Sequence, residues 1–229
     1  MGKKHLSLFN VDKVRPFAFV IFLVSAAILF YLCKYLFFYD RDIFVVNPHQ
    51  ALMPGFTRGA VVKLTFLADN FFWQTNVTGH HITNVLLHLC VTLLATIVFQ
   101  MLLKFTVLDE LRARNAGYIF FALFLLSPVH AGPLCYLIRR EGIVATIFCM
   151  LSLFFFLKAN FEHAGLLVIS ICFFLLALFS YEISWAFPVI LLLIANYLRQ
   201  YKPLTSRIFF IYIMPFFIVF CLFYAFISH

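Results

Sequence analysis

Long apolar runs separated by short polar stretches dominate the pattern along the chain. A helix needs about 20 mainly apolar residues to cross the hydrocarbon core of a bilayer. Runs of about that length predict seven spanning helices, at 17–39, 83–107, 116–137, 142–158, 165–181, 184–198 and 208–227. The fourth to sixth runs are short and closely linked, which leaves a tilted, broken or partly re-entrant helix as an alternative there. The pattern predicts an all-α, polytopic membrane helix bundle with about seven transmembrane helices.

The one long segment without a spanning pattern is the loop at 40–82. Its centre, AVVKLTFLADNFFW at 60–73, is apolar with few charges and predicts a helix lying in the membrane interface. Trp73 and the neighbouring Phe residues suit anchors at the headgroup level. We therefore expect a single transmembrane domain over 1–229, with a cytoplasmic N-terminus at 1–16, an outer or lumenal loop at 40–82, and the remaining helices at 83–229.

Composition excludes an ordinary soluble domain. The chain is 65% hydrophobic and 11% charged, whereas soluble domains have about 45–50% apolar and about 25% charged residues. Its net charge of +8 is explained by topology, because cytoplasmic loops of membrane proteins are enriched in Lys and Arg. With the N-terminus inside, eleven Lys and Arg residues lie on cytoplasmic segments (Lys3, Lys4, Lys13, Arg15, Lys104, Arg112, Arg114, Lys158, Arg199, Lys202 and Arg207) and five on outer segments (Arg41, Arg58, Lys63, Arg139 and Arg140).

We expect a multi-pass protein of a bacterial inner membrane or the endoplasmic reticulum, in which this bias predicts a cytoplasmic N-terminus and requires no nucleic-acid partner. Six Cys residues occur singly, without a Cys-x-x-Cys pair, and predict buried free thiols. A metal site from His80, His81 and His88 is conceivable, but their spacing lacks a His-Glu-x-x-His signature. We therefore predict no metal site.

Ionisable side chains at membrane depth are costly, so each is a candidate functional residue. His81, Asn84 and His88 are spaced at i, i+3 and i+7 and would line one helix face that points into the bundle. Interhelical hydrogen bonding, worth about 0.6 kcal/mol per bond, is the structural alternative and the better explanation of this stripe alone.

Three further groups are predicted at the same outer surface. The segment SPVHAGPLCYLIRREG supplies His130, Arg139 and Arg140, SYEISWAFP supplies Glu182, and the first span ends at Asp40 and Asp42; these residues come from separate parts of the sequence. Because these residues come from separate segments and are predicted at one surface, they predict a functional site there. Alternatively, the two Asp residues mark the end of a span, and the arginines with Glu141 form a solvated turn whose ion pair is worth about 0–1 kcal/mol.

Four stretches occur in an order that resembles one family. They are YDRDIFVVNP, TRGAVVKLTFLADNFFWQTNVTGHHITNVLLHL, LFLLSPVHAGPLCYLIRREGIVATIF and LFSYEISWAFPVILLL. The chain resembles, over roughly 38–195, the membrane part of the transmembrane-and-tetratricopeptide-repeat O-mannosyltransferases and their bacterial relatives. That family belongs to the C-type glycosyltransferases, which use polyprenyl-phosphate sugars.

The resemblance carries over to individual positions. The family's paired acids match Asp40 and Asp42, and a later family arginine matches Arg58. The remaining matches are Asp69, Gly79, His81, Asn84, His88, Ser127-Pro128-Val129-His130, Arg139-Arg140, Ser180-Tyr181-Glu182 and Pro188.

This resemblance implies transfer of a sugar from a polyprenyl-phosphate donor to an acceptor hydroxyl at the outer or lumenal face. Asp40, or otherwise Asp42, would be the base that takes the acceptor proton. Arg58, Arg139 and Arg140 would bind the donor phosphate. The supporting residues would be His81, Asn84, His88, His130 and Glu182. No cofactor is required, although Asp and His could also hold a divalent cation.

Departures from the family pattern favour a second hypothesis. Arg41 splits the acid pair, Gly59 stands where the family has a proline after its arginine, and the resemblance includes no tetratricopeptide part. These features suit a catalytically inactive subunit that acts as a scaffold for other membrane proteins. A solute transporter ranks last, because its charges should lie near the midplane, often in two related halves. In every case membrane lipid is a partner.

Overall fold

The computed structural model describes residues 59–106, 109–127, 136–201 and 206–228. Within these ranges the chain folds into α-helices joined by turns and two short 3-10 segments, Leu137–Arg139 and Glu182–Ala186. The helices are α1 (Ala60–Trp73), α2 (Val77–Thr106), α3 (Glu110–Leu125), α4 (Arg140–Ala159), α5 (Ala164–Leu178), α6 (Phe187–Arg199) and α7 (Ser206–Ser228). The predicted span at 17–39 lies outside the described residues.

Four helical stretches among the described residues are long and apolar enough to cross a membrane. They are Val77–Phe105, Arg140–Ala159, Glu182–Arg199 and Ile208–Ile227, and Ala164–Leu178 is a shorter apolar helix. The prediction of an all-helical, membrane-embedded bundle is confirmed at this level. The number of seven spans stays a prediction.

The predicted and observed bounds differ most for the second and third spans. Helix α2 begins at Val77, six residues before the predicted start, because the Asn76 side chain accepts a hydrogen bond from the Thr78 N–H at 3.1 Å. Such caps satisfy N–H groups that lack a partner in the first turn. Helix α3 begins at Glu110, since Asp109 caps it in the same way through the Arg112 N–H, and it ends at Leu125 instead of 137.

Helices α4 and α5 form an antiparallel pair around two serines. The hydroxyl of Ser152 donates to the Ser170 carbonyl at 2.8 Å, and the hydroxyl of Ser170 donates to the Ser152 carbonyl at 2.6 Å. Both residues are fully buried. Small residues let helix backbones approach closely within membranes, where polar groups also join helices. The serine pair therefore sets the register of the two helices.

An aromatic core joins α4, α5, α6 and α7. Phe174 lies 5.3 Å from Phe187 and 5.7 Å from Phe216 between ring centroids, and Phe156 contacts Phe216 edge-on at 6.0 Å. All four rings are buried. Offset and edge-on geometries are the favoured arrangements of aromatic pairs. This core holds the α4–α7 half of the bundle together.

Helix α1 covers the stretch for which the sequence predicts a helix. It turns Val62, Phe66 and Asp69 toward α2 and α4, and it leaves Phe71 and Phe72 exposed by 82% and 72%. Exposed aromatic side chains beside an apolar bundle suit the headgroup region. The position of α1 in the interface stays a prediction that this amphipathic arrangement supports.

The prediction of free thiols is confirmed for the four described cysteines, but the prediction that they are buried is wrong for three of them. Cys90, Cys172 and Cys221 are free and exposed on helix surfaces, and Cys149 is free and buried. An exposed position on an apolar helix faces lipid once the protein is embedded, so an apolar run alone does not tell a lipid-facing thiol from one inside the bundle.

Candidate functional site

A buried ion pair joins α1 to the first residue of α4. The Nη2 atom of Arg140 lies 2.6 Å from Oδ2 of Asp69. Arg140 has no exposed surface and Asp69 is 5% exposed. Charged groups in such surroundings are stable only when paired and hydrogen-bonded. The two residues stand 71 positions apart in the sequence, so this contact depends on how the helices pack.

The start of α2 completes a set of polar residues around this pair. Asn84 accepts a 2.6 Å hydrogen bond from Nε of Arg140, and the carbonyl of His80 accepts a 3.0 Å bond from Nη2. The guanidinium also stacks on Phe66, with Cζ 4.2 Å from the ring centroid. Its Nη1 finds no hydrogen-bond partner among the described residues. We call Asp69, His80, Thr83, Asn84 and Arg140 the polar cluster.

Asp69 is held in its ionised form by this cluster. Thr83 Oγ1 donates to Oδ1 at 2.9 Å, and Nδ1 of His80 lies 3.2 Å from Oδ2. Burial alone would raise the pKa of Asp69, but the hydrogen bond with His80, the charge of Arg140 and the Thr83 hydroxyl outweigh it and lower the pKa below its ordinary value. The carboxylate therefore acts as a fixed anion that orients Arg140.

Local sequence explains why these side chains meet. On α1, Val62, Phe66 and Asp69 follow at i, i+4 and i+7, so the carboxylate lies on the apolar, buried face. The turn after α1 is tight, and Nε1 of Trp73 donates to Thr83 Oγ1 at 3.2 Å. Gly79 permits this turn, because a Cβ atom there would overlap the Trp73 ring. The turn thus brings Asp69 against the first turns of α2.

A cavity of about 260 Å³ opens near the same end of the bundle. Its wall includes Gly59 before α1, Glu141 at the start of α4, Glu182 in the second 3-10 segment, and Phe223 near the end of α7. These segments are among those that the sequence predicts at one outer surface. The described structure therefore places Gly59, Glu141, Glu182 and Phe223 at the same end of the bundle. We call this the Arg140 end.

The predicted site residues have different places in the structure. His81, Asn84 and His88 are all buried, which confirms that their shared face points into the bundle, and Asn84 alone of the three belongs to the polar cluster as defined. His88 stacks on Phe124, with ring centroids 6.3 Å apart. Arg140 is inside the cluster, whereas its neighbour Arg139 is exposed.

Glu182 is exposed and lines the cavity. The remaining predicted residues, Asp40, Asp42, Arg58 and His130, lie outside the described residues. Their roles, including that of the proposed base, stay predictions.

The sequence analysis matched Asp69 to the family and weighed His80 only as a metal ligand, but it gave neither of them, nor Thr83, a role in the predicted site. A usable signal was present for Asp69, because a carboxylate on the otherwise apolar face of α1 must find a cation or hydrogen-bond donors. Thr83 and His80 carry no such signal. Their part in the cluster depends on the turn that packs Trp73 against Gly79.

Whether a divalent cation fits this site depends on the donor atoms of the described residues. Among the described residues, no three His, Cys, Asp or Glu side chains come together as a metal-binding group. The carboxylate of Asp69 is engaged by Arg140, Thr83 and His80. The polar cluster can therefore fix the positions of the helices. It also fixes the backbone beside Arg139 and Glu141, which flank Arg140 in the sequence.

The fold and this site place the chain in the class of helical membrane proteins with a buried polar cluster at one end of the bundle. Comparison with family models, curated proteins and solved structures finds no match for the chain.

Proposed function

We propose that this protein is an integral membrane glycosyltransferase-like protein. It transfers a sugar from a polyprenyl-phosphate donor to an acceptor hydroxyl at the outer or lumenal face. In this proposal the chain crosses the membrane seven times, with its N-terminus in the cytoplasm. Other membrane protein subunits are additional partners.

The observation that carries the proposal is that Arg140 contacts both Asp69 and Asn84. The family resemblance matches Asp69 and Asn84 in one stretch and Arg140 in another, and the resemblance itself contains no information about the distances between these residues. Contact of Arg140 with both residues is expected if the chain adopts the family's arrangement of helices. The grouping of Gly59, Glu141 and Glu182 around one cavity supports it further.

The proposed reaction uses one carboxylate as a base and arginine side chains as cations. Asp40, with Asp42 as the second choice, takes the proton of the acceptor hydroxyl while the sugar carbon develops oxocarbenium character. The polyprenyl phosphate leaves as an anion, which Arg58 and Arg139 stabilise by charge-assisted hydrogen bonds. No divalent cation is required for these steps.

The two neighbouring arginines have different parts in this scheme. Arg139 is exposed and stands directly before α4, where unpaired N–H groups and the helix dipole favour an anion. Arg140 is buried and engaged by Asp69 and Asn84, so it acts here as a positioning residue that holds α1 and α2 beside the phosphate.

The decisive experiment measures transfer from a polyprenyl-phosphate mannose or glucose donor in proteoliposomes, with a panel of hydroxyl acceptors. Wild-type protein should release polyprenyl phosphate and form a glycoside, and Asp40→Asn should reduce this by at least about 100-fold, as expected for loss of a general base. Glu110→Gln, a change of an exposed carboxylate on α3, is the matched control and should leave transfer unchanged. Absence of transfer with every donor would overturn the proposal.

A scaffold without catalytic activity is the second candidate. The observation that favours it is the complete burial of Arg140, whose Nε and Nη2 atoms already have partners inside the protein. This function predicts no turnover in the same assay. It also predicts a stoichiometric membrane partner that co-purifies equally with wild-type protein and with the Asp40→Asn variant.

A further inference from the structure

A second cavity, of about 230 Å³, lies at the end of the bundle opposite the Arg140 end. The helices α2, α4 and α6 all finish beside it. Its wall consists mainly of Phe105 of α2, Phe156 and Leu157 of α4, Phe161 in the turn before α5, and Leu198 of α6. No charged side chain belongs to the described part of this wall. Because a charged ligand group would lose its hydration there without a charged partner, the wall favours an apolar ligand.

Each of these three helices has an exposed cation in its last turn, next in sequence to a residue of the wall. The neighbours are Lys104 with Phe105, Lys158 with Leu157, and Arg199 with Leu198. Adjacent residues point about 100° apart around a helix. The cations therefore lie at the rim of the cavity, outside its apolar wall.

Positive charge exceeds negative charge among the described side chains at this end. The Lys and Arg side chains are Lys104, Arg112, Arg114, Lys158 and Arg199, and the carboxylates are Asp109, Glu110 and Glu162. Asp109 and Glu110 already form ion pairs with two of these cations. The end as a whole therefore attracts an anion.

Lys158 is the rim cation that is available to a ligand. Its Nζ lies 5.8 Å from the centroid of the Phe154 ring, and it forms no ion pair with any residue that the structure describes. Lys104 already has an ion-pair partner on α3, and Arg199 packs over the Phe209 ring with Cζ 5.7 Å from the centroid. These two add positive charge at the rim, whereas Lys158 can contact an anion directly.

Tyr201 places a hydroxyl beside the same cavity. The residue lines the wall and is 43% exposed. Its Oη lies 3.2 Å from Oη of Tyr197, and either hydroxyl can donate in this hydrogen bond. The accepting hydroxyl keeps its own hydrogen, which can be donated to a phosphate or ester oxygen. The rim thus has a neutral donor as well as cations.

The combination of a cationic rim and an apolar wall selects an amphiphile with an anionic head group. A free phosphate would use the cations and leave the wall unfilled, whereas a neutral lipid would do the reverse. Basic sites between helices at the membrane surface bind the head groups of anionic lipids. In a phosphatidylcholine, the quaternary ammonium group would be repelled by the positive rim. The ligand class that fits both features is an anionic phospholipid.

We propose that this end of the bundle binds one anionic phospholipid, with its head group beside Lys158 and Tyr201 and part of one acyl chain in the cavity. Such a lipid joins the ends of three helices that otherwise meet through apolar packing. The inference goes beyond the proposed function, since it concerns the end opposite the proposed reaction site and requires no sugar transfer. With a cytoplasmic N-terminus, the lipid belongs to the cytoplasmic leaflet.

Photo-crosslinking in lipid nanodiscs tests the site directly. The protein is placed in phosphatidylcholine nanodiscs that contain a small fraction of phosphatidylglycerol with a diazirine in one acyl chain. A second preparation has the same diazirine chain on phosphatidylcholine. Illumination followed by peptide mass spectrometry identifies the labelled residues. Both leaflets of a nanodisc contain the same lipids, so the result does not depend on the orientation of the chain.

We expect the phosphatidylglycerol probe to label the wall of the cavity at least about five-fold more than the phosphatidylcholine probe does. Lys158→Gln should lower this labelling about five-fold, the effect of one cation beside an anionic lipid, and Lys158→Arg should retain it. Because Lys158 is exposed, neither change should prevent folding.

The matched control is Arg112→Gln, which removes an exposed cation from the same end of the bundle. Arg112 lies on α3, which contributes no residue to the described wall, so labelling should be unchanged. Equal losses in Lys158→Gln and Arg112→Gln would indicate only the general charge of this end and would overturn the inference.

Two further outcomes would also overturn it. The first is equal labelling of the wall by the two probes, or labelling confined to other helix surfaces. The second concerns the source of the phosphate. Free glycerol phosphate should leave the labelling unchanged, because it cannot fill the apolar wall, and complete competition by it would assign the rim to a soluble anion.

The transfer assay is independent of these results. Labelling of the wall without sugar transfer would refute the glycosyltransferase function and leave the phospholipid site standing.

Discussion

The two ends of the bundle contain cavities of similar size and opposite chemistry. At the Arg140 end, the cavity of about 260 Å³ has two carboxylates in its wall and lies near the buried polar cluster. At the other end, where α4 finishes before Asn160, a cavity of about 230 Å³ is lined mainly by Phe105, Phe156, Phe161 and Leu198. We call this the Asn160 end.

This difference shows which interactions hold the helices in position at each end. Lipid tails are as apolar as the helix surfaces, so burial of apolar groups gives little preference for one helix partner over another within a membrane. Close packing and hydrogen bonds provide that preference. The Asn160 end relies on packing of aromatic rings, and the Arg140 end adds charges whose partners are specified. A functional site is therefore expected where the specified charges are.

Removal of one partner from the buried ion pair should have the largest effect on the stability of the protein. Arg140→Leu leaves Asp69 buried without its cation, which costs about 3–5 kcal/mol in the free energy of unfolding. Thermal or denaturant unfolding in detergent measures the loss. The matched control is Arg139→Leu, which changes the exposed neighbouring arginine and should cost less than about 0.5 kcal/mol. Equal losses in the two variants would refute the structural role of the pair.

A deletion at the Asn160 end tests whether packing alone holds it. Phe156 is 2% exposed, and Phe156→Ala should lower the free energy of unfolding by about 3 kcal/mol because it leaves a cavity. Unlike Arg140→Leu, this variant should leave unchanged the pH dependence of stability that ionised Asp69 causes at the opposite end. An altered pH dependence in Phe156→Ala would mean that the two ends are not independent.

Acidification should weaken the Arg140 end selectively. The pKa of Asp69 is lowered in the folded protein relative to the ordinary value of 3.8. Ionised Asp69 therefore adds stability above the unfolded pKa, and this contribution is lost as the pH falls from there through the folded pKa. The loss should be smaller than in Arg140→Leu, since a protonated carboxyl still forms hydrogen bonds.

Unfolding midpoints of the wild type and Asp69→Asn, measured between about pH 6 and pH 3, check this expectation. The variant should be less stable at neutral pH and should approach the wild type in acid. Parallel curves over the whole range would contradict the ionised state of Asp69.

The smallest effect is expected midway between the ends. Ser152→Ala removes one hydroxyl of the pair that joins α4 and α5, and interhelical hydrogen bonds in membranes average about 0.6 kcal/mol. Ser170→Ala should cost about as much, and the double variant should cost less than the sum, because the two hydroxyls lie within 3.1 Å of each other. Additive losses would show that the serines act separately.

Much of the helical framework was predictable from the sequence. Apolar length predicted the spans at 142–158 and 208–227 within two residues of α4 and α7, and low charge predicted a helix over 60–73. The bounds of α2 and α3 were predicted less well. Their starts depend on the caps Asn76 and Asp109, single polar side chains that a search for apolar runs ignores.

The site was predictable only in part. The spacing of His81, Asn84 and His88 was sufficient to predict a buried face, because helical periodicity is a local property. The exposure of Arg139 beside the complete burial of Arg140 was not predictable. Adjacent residues point about 100° apart around a helix, so only the position of α1 decides which of the two is covered.

The sequence by itself determined that the chain is helical and embedded in a membrane, since both properties follow from local apolar periodicity and run length. Only the tertiary structure decided that Asp69 pairs with Arg140 and that Glu141 and Glu182 face one cavity. The physical reason is that a buried charge requires a partner without specifying which one. The choice is made by the turn at Gly79 and by the packing of α1 on α2 and α4.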